Sequence, residues 1–264
     1  MTLSEINIYP IKSARGLSLA TAQLEKLGLR YDRRWMVVDE NGSFLTQRKH
    51  PRMALVRAEP ESDHLRITAP LMEPLSVPLS TETLQLTDVQ IWEDRIRAAS
   101  LGNQASDWFS TFLGFKCQLV YNNQALRPVN PKYAVGEDHV SFADAFPLML
   151  ISEASLQDLN QRLDTPIPMN RFRPNLVIRG CQPYEEDTWK EILVGGIRLH
   201  VVKPSARCVI PTVDQNTAVQ SKEPLRTLTT YRERDGKVLF GQNIIHGGEG
   251  VLNVGDSVEV LSWR

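Results

Sequence analysis

The sequence predicts a mainly β protein with a few helices, arranged as two closely associated β-rich halves. Short segments that alternate apolar and polar residues, the period of a half-buried strand, recur along the chain. Asn41-Gly42 stands between two such segments, and Asn-Gly is the strongest short-range signal of a β-hairpin. No helix-length pattern alternates with the early strands, which disfavours a parallel α/β sheet. We therefore expect a barrel or a sandwich.

The first half, residues 1–121, is predicted to consist of strands and one helix. The helix covers 104–113, with Asn103 as its N-cap and Gly114 as its stop. Its apolar face is predicted to pack in the core and consists of Trp108, Phe109, Phe112 and Leu113. Strands are predicted over 3–9, 17–24, 33–39, 43–48, 53–58, 64–68, 84–92, 95–99 and 117–121.

The second half, residues 122–264, is predicted to begin at the polar run 122–124. Ser152 caps a helix over 153–163, and Pro224 suits the first position of a helix over 224–233. Strands are predicted over 147–151, 174–178, 191–194, 197–202, 238–245, 251–253 and 257–262.

Composition excludes several classes of protein. The formal net charge of −1 argues against a dedicated nucleic-acid binder, whose surface would be strongly basic. The polar start Met1-Thr-Leu-Ser-Glu5 does not resemble a signal peptide, and no apolar run is long enough to span a membrane. We therefore expect a soluble, cytoplasmic protein.

The cysteines and histidines do not form a recognisable metal motif. Cys117, Cys181 and Cys208 contain no CxxC pair, so neither a zinc ribbon nor an iron–sulfur cluster is predicted in this chain. A disulfide scaffold is equally disfavoured, in agreement with a reducing cytoplasm. The 5 histidines show no i, i+4 pairing of the kind that binds zinc.

The stretch 203–217 is the strongest candidate for chemistry. Cys208 lies close to Lys203 and Arg207, and Thr212 and Asp214 follow it. A thiol beside fixed positive charge loses its proton easily, and a thiolate is both a nucleophile and a soft metal ligand. Free cysteine is also among the most buried residue types, so a structural cysteine remains an alternative.

Cations in short turns suggest an anion site. Lys12 and Arg33 lie in turns of the first half, and Arg173 precedes Pro174-Asn175 in the second. Cations, hydroxyl groups and backbone N–H groups together bind phosphate, although solvated surface charge would explain the same pattern. No Walker-type or dinucleotide-binding glycine motif is present. A missing GxSxG motif sets a serine hydrolase aside, whereas a Cys–His hydrolase remains open.

Motifs along nearly the whole chain resemble one family. They are Tyr9-Pro-Ile-Lys-Ser13, Asp32-Arg-Arg-Trp35, Ile151-Ser-Glu-Ala-Ser-Leu156, Phe172-Arg-Pro-Asn-Leu-Val177, Glu186-Asp-Thr-Trp189, Ser205-Ala-Arg-Cys208 with Thr212-Val-Asp214, and Phe240-Gly-Gln-Asn243. Together they are similar to the MOSC-domain proteins that carry a MOSC N-terminal β-barrel domain, the group of the mitochondrial amidoxime-reducing components and their bacterial counterparts.

The resemblance implies a β-barrel MOSC fold and a molybdenum–pterin cofactor (molybdopterin) with Cys208 as the protein's thiolate ligand to the metal. Asp144 matches a loop that approaches the metal, and Asp214 is either a group that orients the site or an acid/base. Both join Cys208 as candidates for catalysis. The implied cofactor-binding residues are Lys12, Ser13, Arg33, Arg173, Asn175, Arg207, Thr212, Gln242 and Asn243.

The sequence departs from its relatives at two positions near Cys208. Ser205 stands where many relatives have a second cysteine, and Pro211 stands where they often have a hydroxyl residue. The chain ends at Arg264, without the ferredoxin-like domain of some bacterial relatives. We therefore expect either a separate electron-donor protein, of the ferredoxin, flavin reductase or cytochrome type, or a longer product of which this is a part.

The function implied by the resemblance is the reduction of N-hydroxylated compounds, namely hydroxylamines, amidoximes and N-hydroxylated bases. At the level of the family it also implies detoxification and pyridoxal phosphate binding. An alternative is a carrier that holds the cofactor, or sulfur on Cys208, without turnover of its own. A cysteine-dependent hydrolase, which would need no metal, is a third hypothesis.

Overall fold

The computed structural model describes residues 1–79, 85–122 and 126–264, and its mainly β architecture confirms the predicted fold class. The first half contains β1 (Thr2–Ile8), β2 (Leu17–Leu19), β3 (Thr21–Glu25), β4 (Gly28–Leu29), β5 (Trp35–Asp39), β6 (Arg57–Pro60), β7 (His64–Thr68), β8 (Leu75–Pro78), β9 (Leu86–Ile91), β10 (Asp94–Ser100), α1 (Gly102–Leu113) and β11 (Cys117–Tyr121).

The second half also consists mainly of strands. It contains β12 (Arg127–Pro128), β13 (His139–Val140), β14 (Leu148–Ser152), α2 (Glu153–Gln161), β15 (Leu176–Arg179), β16 (Trp189–Val194), β17 (Ile197–Ala206), α3 (Leu225–Arg232), β18 (Glu233–Arg234), β19 (Lys237–His246), β20 (Gly250–Asn253) and β21 (Val258–Trp263). Short 3₁₀ helices cover Pro51–Leu55, Met169–Arg171, Glu185–Asp187 and Ile210–Thr212.

The largest sheet joins the two halves of the chain. It has 9 strands in the order β2-β1-β15-β14-β19-β17-β16-β21, with β18 beside β19. β1 and β2 come from the first half, and Ile6 of β1 pairs with Leu176 of β15. The pairing of β14 with β15 is parallel. Within the described residues the sheets do not close into a barrel by strand pairing. Residues 123 and 124 of the predicted boundary run lie outside the described part.

Smaller sheets complete the first half. β5, β11, β10 and β9 form one, and β6, β7 and β8 another. α1 packs beside β11 and buries Trp108, Phe109 and Phe112, as its sequence predicts. Gly114 ends the helix with a left-handed φ of 86°, which glycine adopts at low cost. The helix begins at Gly102 instead of after Asn103, and no side chain caps it.

Two predicted strands of the first half are wrong in extent. Over 43–48 only Ser43 and Phe44 make isolated bridges, to Gln90 and Val38. Of the prediction over 53–58, residues 53–55 lie in the 3₁₀ helix Pro51–Leu55 and only 57–58 in β6. Pro51 starts the helix because proline cannot donate to a strand ladder but fits the first helical turn. The predicted strand over 84–92 is observed as β9, and its first residue, Leu84, lies outside the described part.

Helices α2 and α3 follow their capping signals closely. Ser152 accepts a hydrogen bond from Ser155 N, the N-cap contact expected from the sequence. α3 begins one residue after Pro224, within the predicted span.

Five segments converge at one place. The turn after β1 is bound to the turn before β5, since Arg33 N donates to Tyr9 O (2.9 Å) and Lys12 N to Trp35 O (2.7 Å). The loop before β14 joins them, because Phe142 N donates to Arg33 O (3.0 Å). The segment before β15 and the end of β17 complete the set, and together they enclose a cavity.

Candidate functional site

A cavity of about 320 Å³ lies where these segments meet, and both halves of the chain line it. Its cationic lining residues are Lys12, Arg33, Arg48, Arg171, Arg173, Lys203 and Arg207. Among the described lining residues the Asp144 carboxylate is the one acidic group. The predicted site residues brought together here are Lys12, Ser13, Arg33, Asp144, Arg173, Asn175, Arg207, Cys208 and Asn243. The cavity is therefore built for an anionic occupant.

Cys208 is half-buried in the wall of this cavity, just beyond the end of β17. Its Sγ accepts a hydrogen bond from Arg48 Nε at 3.3 Å. The sequence neighbour Arg207 points elsewhere, because its Nε donates to Phe240 O (2.7 Å) and its Nη1 to Phe172 O (3.0 Å). The cation that contacts the thiol thus comes from the other half of the chain.

Arg48 was not among the residues predicted from the sequence. Its Nη2 lies 3.3 Å from Asp144 Oδ2, and its guanidinium lies over the Trp92 ring at 4.9 Å. Burial alone would lower the pKa of Arg48, but Cys208 and Asp144 face it and raise that pKa above its usual value. The run Gln47-Arg48-Lys49 looks like ordinary surface charge, so no local signal identifies it.

Asp144 and Lys12 form an ion pair at the cavity wall. Lys12 Nζ donates to Asp144 Oδ1 and also to Phe142 O (2.7 Å). Partial desolvation would raise the pKa of Asp144, but Lys12 and then Arg48 hold it below its usual value. The buried Arg127 supports this loop, since its Nη1 donates to Ala143 O (2.7 Å). Asp144 is therefore an ionised, fixed acceptor.

Two arginines of the cavity lining stack on the ring of the buried Tyr9, which does not itself line the cavity. The guanidinium carbon of Arg33 lies 4.3 Å from the centroid of the Tyr9 ring, and that of Arg173 lies 4.1 Å from it. Arg33 is fixed by Asn175 Oδ1, to which its Nη1 donates at 2.9 Å. Ser13, Arg33 and Arg173 have positive φ angles of 64°, 48° and 58°. Such strain in non-glycine residues is kept where the surrounding structure holds it, and it clusters at functional sites.

Arg173 and Arg207 form no ion pair with any carboxylate in the described part of the chain. Burial lowers the pKa of each to about 10. A desolvated guanidinium without a counter-ion is unfavourable, and a bound phosphate would supply both the charge and the acceptor oxygens. The buried Ser13 lines the same cavity and offers a hydroxyl group to it. These residues fit a phosphate-bearing group.

A metal would need ligands besides the protein's own. In the regions that the structure describes, no cluster of three or more histidine, cysteine, aspartate or glutamate side chains could hold an ion by itself. Cys208 offers one soft sulfur ligand at the cavity wall. The donor set therefore fits a soft metal that is carried by an organic cofactor with its own ligands.

Three predicted site residues lie outside the cavity lining. Gln242 donates to Asp187 Oδ1 (2.6 Å), and neighbouring strand residues face opposite sides, so Asn243 lines the cavity and Gln242 does not. The Thr212 hydroxyl donates to Val209 O (2.7 Å) within its own 3₁₀ turn. Cofactor contacts by Gln242 and Thr212 stay predictions that this geometry does not favour.

Asp214, the third of these residues, stabilises the turn that follows Cys208. Its Oδ1 accepts hydrogen bonds from Asn216 N (3.0 Å) and Thr217 N (2.9 Å). Its Oδ2 accepts from Arg171 Nη1 (3.2 Å), while Arg171 Nε donates to Pro211 O (2.7 Å). The geometry therefore favours the orienting role for Asp214 over the acid/base role, because Asp214 positions Arg171, which does line the cavity.

The segment after Cys208 is also fastened to the first half. Gln215 and Gln47 exchange amide hydrogen bonds of 3.0 and 3.2 Å, and both side chains are buried. Arg15 Nη2 donates to Asn216 Oδ1 (2.8 Å). These contacts hold the Cys208 wall against the Arg48 wall. Within the described residues, no helix has the length and apolar character required to cross a membrane.

Comparisons with known proteins agree with this organisation. Residues 1–116 match the MOSC N-terminal beta barrel domain, and residues 137–259 match the MOSC domain. The chain is 37% identical to mitochondrial amidoxime-reducing component 1 of Mus musculus over 279 residues, which covers 98% of this chain and 82% of that protein. It is 35% identical to the Homo sapiens component 1 over 279 residues, covering 98% and 83%.

A third relative is mitochondrial amidoxime reducing component 2 of Bos taurus, 37% identical over 276 residues, with 97% of this chain and 82% of that protein covered. Both domain matches and these relatives extend over the segments that build the cavity. The chain therefore belongs to the MOSC-domain family that joins a MOSC N-terminal β-barrel domain to a MOSC domain and includes the mitochondrial amidoxime-reducing components.

Proposed function

We propose that this protein is a molybdenum-cofactor-dependent reductase that removes the oxygen of N-hydroxylated compounds as water. The substrates are hydroxylamines, amidoximes and N-hydroxylated bases, and each turnover uses two electrons and two protons. The observation that carries the proposal is one cavity that combines the Cys208 thiol with the buried Arg173 and the half-buried Arg207, neither of which has a carboxylate partner among the described residues. The names of the relatives supply the reaction class.

Each group of residues has its own task in this proposal. Arg33, Arg173 and the Ser13 hydroxyl bind the phosphate of a pterin cofactor, and Cys208 ligates the metal. When bound, that cofactor supplies the two-electron redox chemistry. A separate protein of the ferredoxin, flavin reductase or cytochrome type delivers the electrons.

Asp144 acts as an acceptor and not as a proton donor. Its pKa is held below its usual value, so the carboxylate stays ionised at ordinary pH. It keeps Lys12 and Arg48 in place and presents an oxygen to a substrate N–H. The Lys12 ammonium, whose pKa is lowered by burial, is the better acid of the pair.

The test is turnover by protein made in cells that synthesise the cofactor. We expect reduction of benzamidoxime to benzamidine with a chemical reductant, and no reduction by protein made in cells that lack the cofactor. Molybdenum loading without turnover of any N-hydroxylated compound would instead indicate a carrier. Cys208-dependent hydrolysis by metal-free protein would indicate a hydrolase and contradict the proposal.

A further inference from the structure

Trp92 lies at the tip of the hairpin formed by β9 and β10, where two residues connect the paired Ile91 and Asp94. The side chain is 47% exposed, although it is the largest kind of apolar side chain. Its φ is 54°, in the left-handed region. Glycine, asparagine or aspartate would take that conformation with little strain, so the turn itself gives no reason for a tryptophan.

Contacts with two lining residues of the cavity fix the orientation of the Trp92 ring. Trp92 Nε1 donates to Asp144 Oδ1 at 3.3 Å. Arg48, the residue that donates to Cys208, lies over the ring at 4.9 Å, and Phe44 meets it edge-on at 5.0 Å. The ring is therefore one contact away from the thiol and is fixed in orientation before anything binds.

The hairpin that carries Trp92 is itself anchored. Phe44 N donates to Gln90 O (3.2 Å), and Gln90 N donates to Gly42 O (2.8 Å). A Cβ on Gly42 would lie 2.5 Å from Asp88 O, so glycine allows this close approach of the two segments. The Asn-Gly turn thus holds β9, and with it Trp92, against Asp144 and Arg48 of the cavity lining.

The surroundings of Trp92 differ chemically from the cavity interior. The interior is cationic and suits the phosphate of a cofactor, whereas an N-hydroxylated substrate is neutral or weakly basic. Trp92 is half-exposed and donates its Nε1–H to the ionised Asp144 carboxylate, which belongs to the cavity lining. A planar conjugated compound can stack on the indole while an N–H group of its amidine or amine reaches the carboxylate.

We propose that Trp92 is a specificity-determining residue that favours planar N-hydroxylated substrates, such as aryl amidoximes and N-hydroxylated purine bases, over aliphatic hydroxylamines. The role rests on the proposed reductase function. It assigns Trp92 to substrate binding, outside the cofactor-binding residues and without a part in electron or proton transfer.

The experiment compares two substrates on molybdenum-loaded protein with a chemical reductant, benzamidoxime and N-methylhydroxylamine. In Trp92→Gly we expect kcat/KM for benzamidoxime to fall about tenfold, as expected for the loss of one aromatic stacking partner, mainly through KM. The kcat/KM for N-methylhydroxylamine should fall much less, so that the ratio of the two values falls. Trp92→Phe keeps an aromatic face and should retain most of the benzamidoxime preference.

A purely structural role for Trp92 predicts different results. Glycine relieves the positive φ, so the melting temperature of Trp92→Gly should not fall below that of the parent. Trp263→Ala is the matched control, because Trp263 is 53% exposed on β21 and its strand partner is Trp189, which lies outside the cavity lining. It should leave the ratio of the two substrates unchanged.

Two outcomes separate this role from the proposed function. If the parent reduces both compounds and Trp92→Gly keeps the parent ratio, or loses both activities equally, the role of Trp92 is overturned and the reductase function stands. If the loaded parent reduces neither compound nor any other N-hydroxylated substrate, the proposed function fails and the role of Trp92 fails with it.

Discussion

Arg48 binds the Cys208 thiol across the two halves of the chain, and its guanidinium also contacts Asp144 and Trp92. It donates to Sγ at 3.3 Å, pairs with Asp144 at 3.3 Å and lies over Trp92. A planar guanidinium can make all of these contacts at once, whereas a lysine ammonium is a single point charge. This residue therefore sets the geometry of the cavity wall that carries Cys208.

The first prediction concerns Arg48→Met, beside Arg48→Lys. We expect cofactor retention to weaken about tenfold in the methionine variant, since a hydrogen bond to a charged group contributes about 1.5–3 kcal/mol. The lysine variant should lie between it and the parent. Molybdenum per protein after gel filtration is the measurement, and Arg52→Met, which removes a cation stacked on Phe112 away from the cavity, is the control. Equal retention in all four proteins would contradict the role of Arg48.

Some site residues can be predicted from the local sequence and others cannot. Cys208 was found because a lone cysteine among cations is a local pattern, and Lys12, Arg33 and Arg173 because they lie in short turns. Arg48 and Trp92 could not be found, since their importance comes from contacts between segments far apart in the chain. The same limit explains Gln242, whose side chain direction depends on the register of β19.

At the scale of elements, the start of α2 is held by a buried carboxylate that no sequence pattern predicts. Glu186 accepts hydrogen bonds from Ser152 N (3.1 Å), Ser152 Oγ (2.9 Å) and Ser155 Oγ (2.7 Å). The N-cap Ser152 was predictable from its position before an apolar periodic segment. Its second partner was not, because Glu186 comes from a 3₁₀ helix that packs against it.

The second prediction is the pH dependence of stability in Glu186→Gln. Burial raises the pKa of Glu186 above its ordinary 4.5 despite the serine donors. A raised pKa in the folded state contributes stability that is fully present below the unfolded pKa and is lost as pH rises through the folded pKa. The parent should therefore lose free energy of unfolding relative to the variant from pH 4.5 upwards. Urea unfolding across that range measures it, and a constant difference would refute it.

The third prediction compares two glycines of positive φ around β19. A Cβ on Gly241 (φ 77°) would lie 2.5 Å from Ile151 Cγ1 and 2.7 Å from Leu150 O, whereas one on Gly236 (φ 69°) meets nothing within 4 Å. Both alanine variants carry backbone strain of about 1–3 kcal/mol. Gly241→Ala should be less stable than Gly236→Ala in urea, because it also displaces β14. Equal loss in both would mean that the packing of β19 on β14 is looser than described.

Strands were also predictable where the pattern is local and not where the pairing is long-range. Segments that alternate regularly, such as β1 and β7, were predicted with nearly correct bounds. The stretch 43–48 was not, because Ser43 and Phe44 pair with residues of two different strands and the chain then turns away. Such short, shared pairings depend on the position of β9 and leave no local pattern.

At the scale of the whole molecule, the cavity exists because the two halves share sheets and loops. β1 pairs with β15, β3 pairs with β20, and the Gln47–Gln215 pair joins the walls. Sequence periodicity predicted two associated β-rich halves, and the family resemblance predicted that they share a cofactor. Neither could show that strands of the first half lie inside the main sheet of the second, because strand partners are a non-local property.

The fourth prediction follows from the unpaired cations at this junction. Pyrophosphate should raise the melting temperature of cofactor-free protein, because a ligand that binds only the folded state stabilises it by mass action. Arg173→Ala should reduce that shift while its melting temperature without ligand stays near the parent's, since the buried Arg173 has no carboxylate partner in the described chain. Sodium chloride at matched ionic strength is the control. A full pyrophosphate shift in Arg173→Ala would count against an anion site there.

The central claim is that Cys208 anchors molybdenum in this cavity, and the molybdenum content of the purified protein tests it most directly. Parent and Cys208→Ser are made in cells that synthesise the cofactor, and metal per protein is measured beside benzamidoxime turnover. The account predicts close to one molybdenum per parent chain, with lost turnover and reduced or spectroscopically altered metal in the serine variant. Turnover and metal signal that stay unchanged in Cys208→Ser would contradict it.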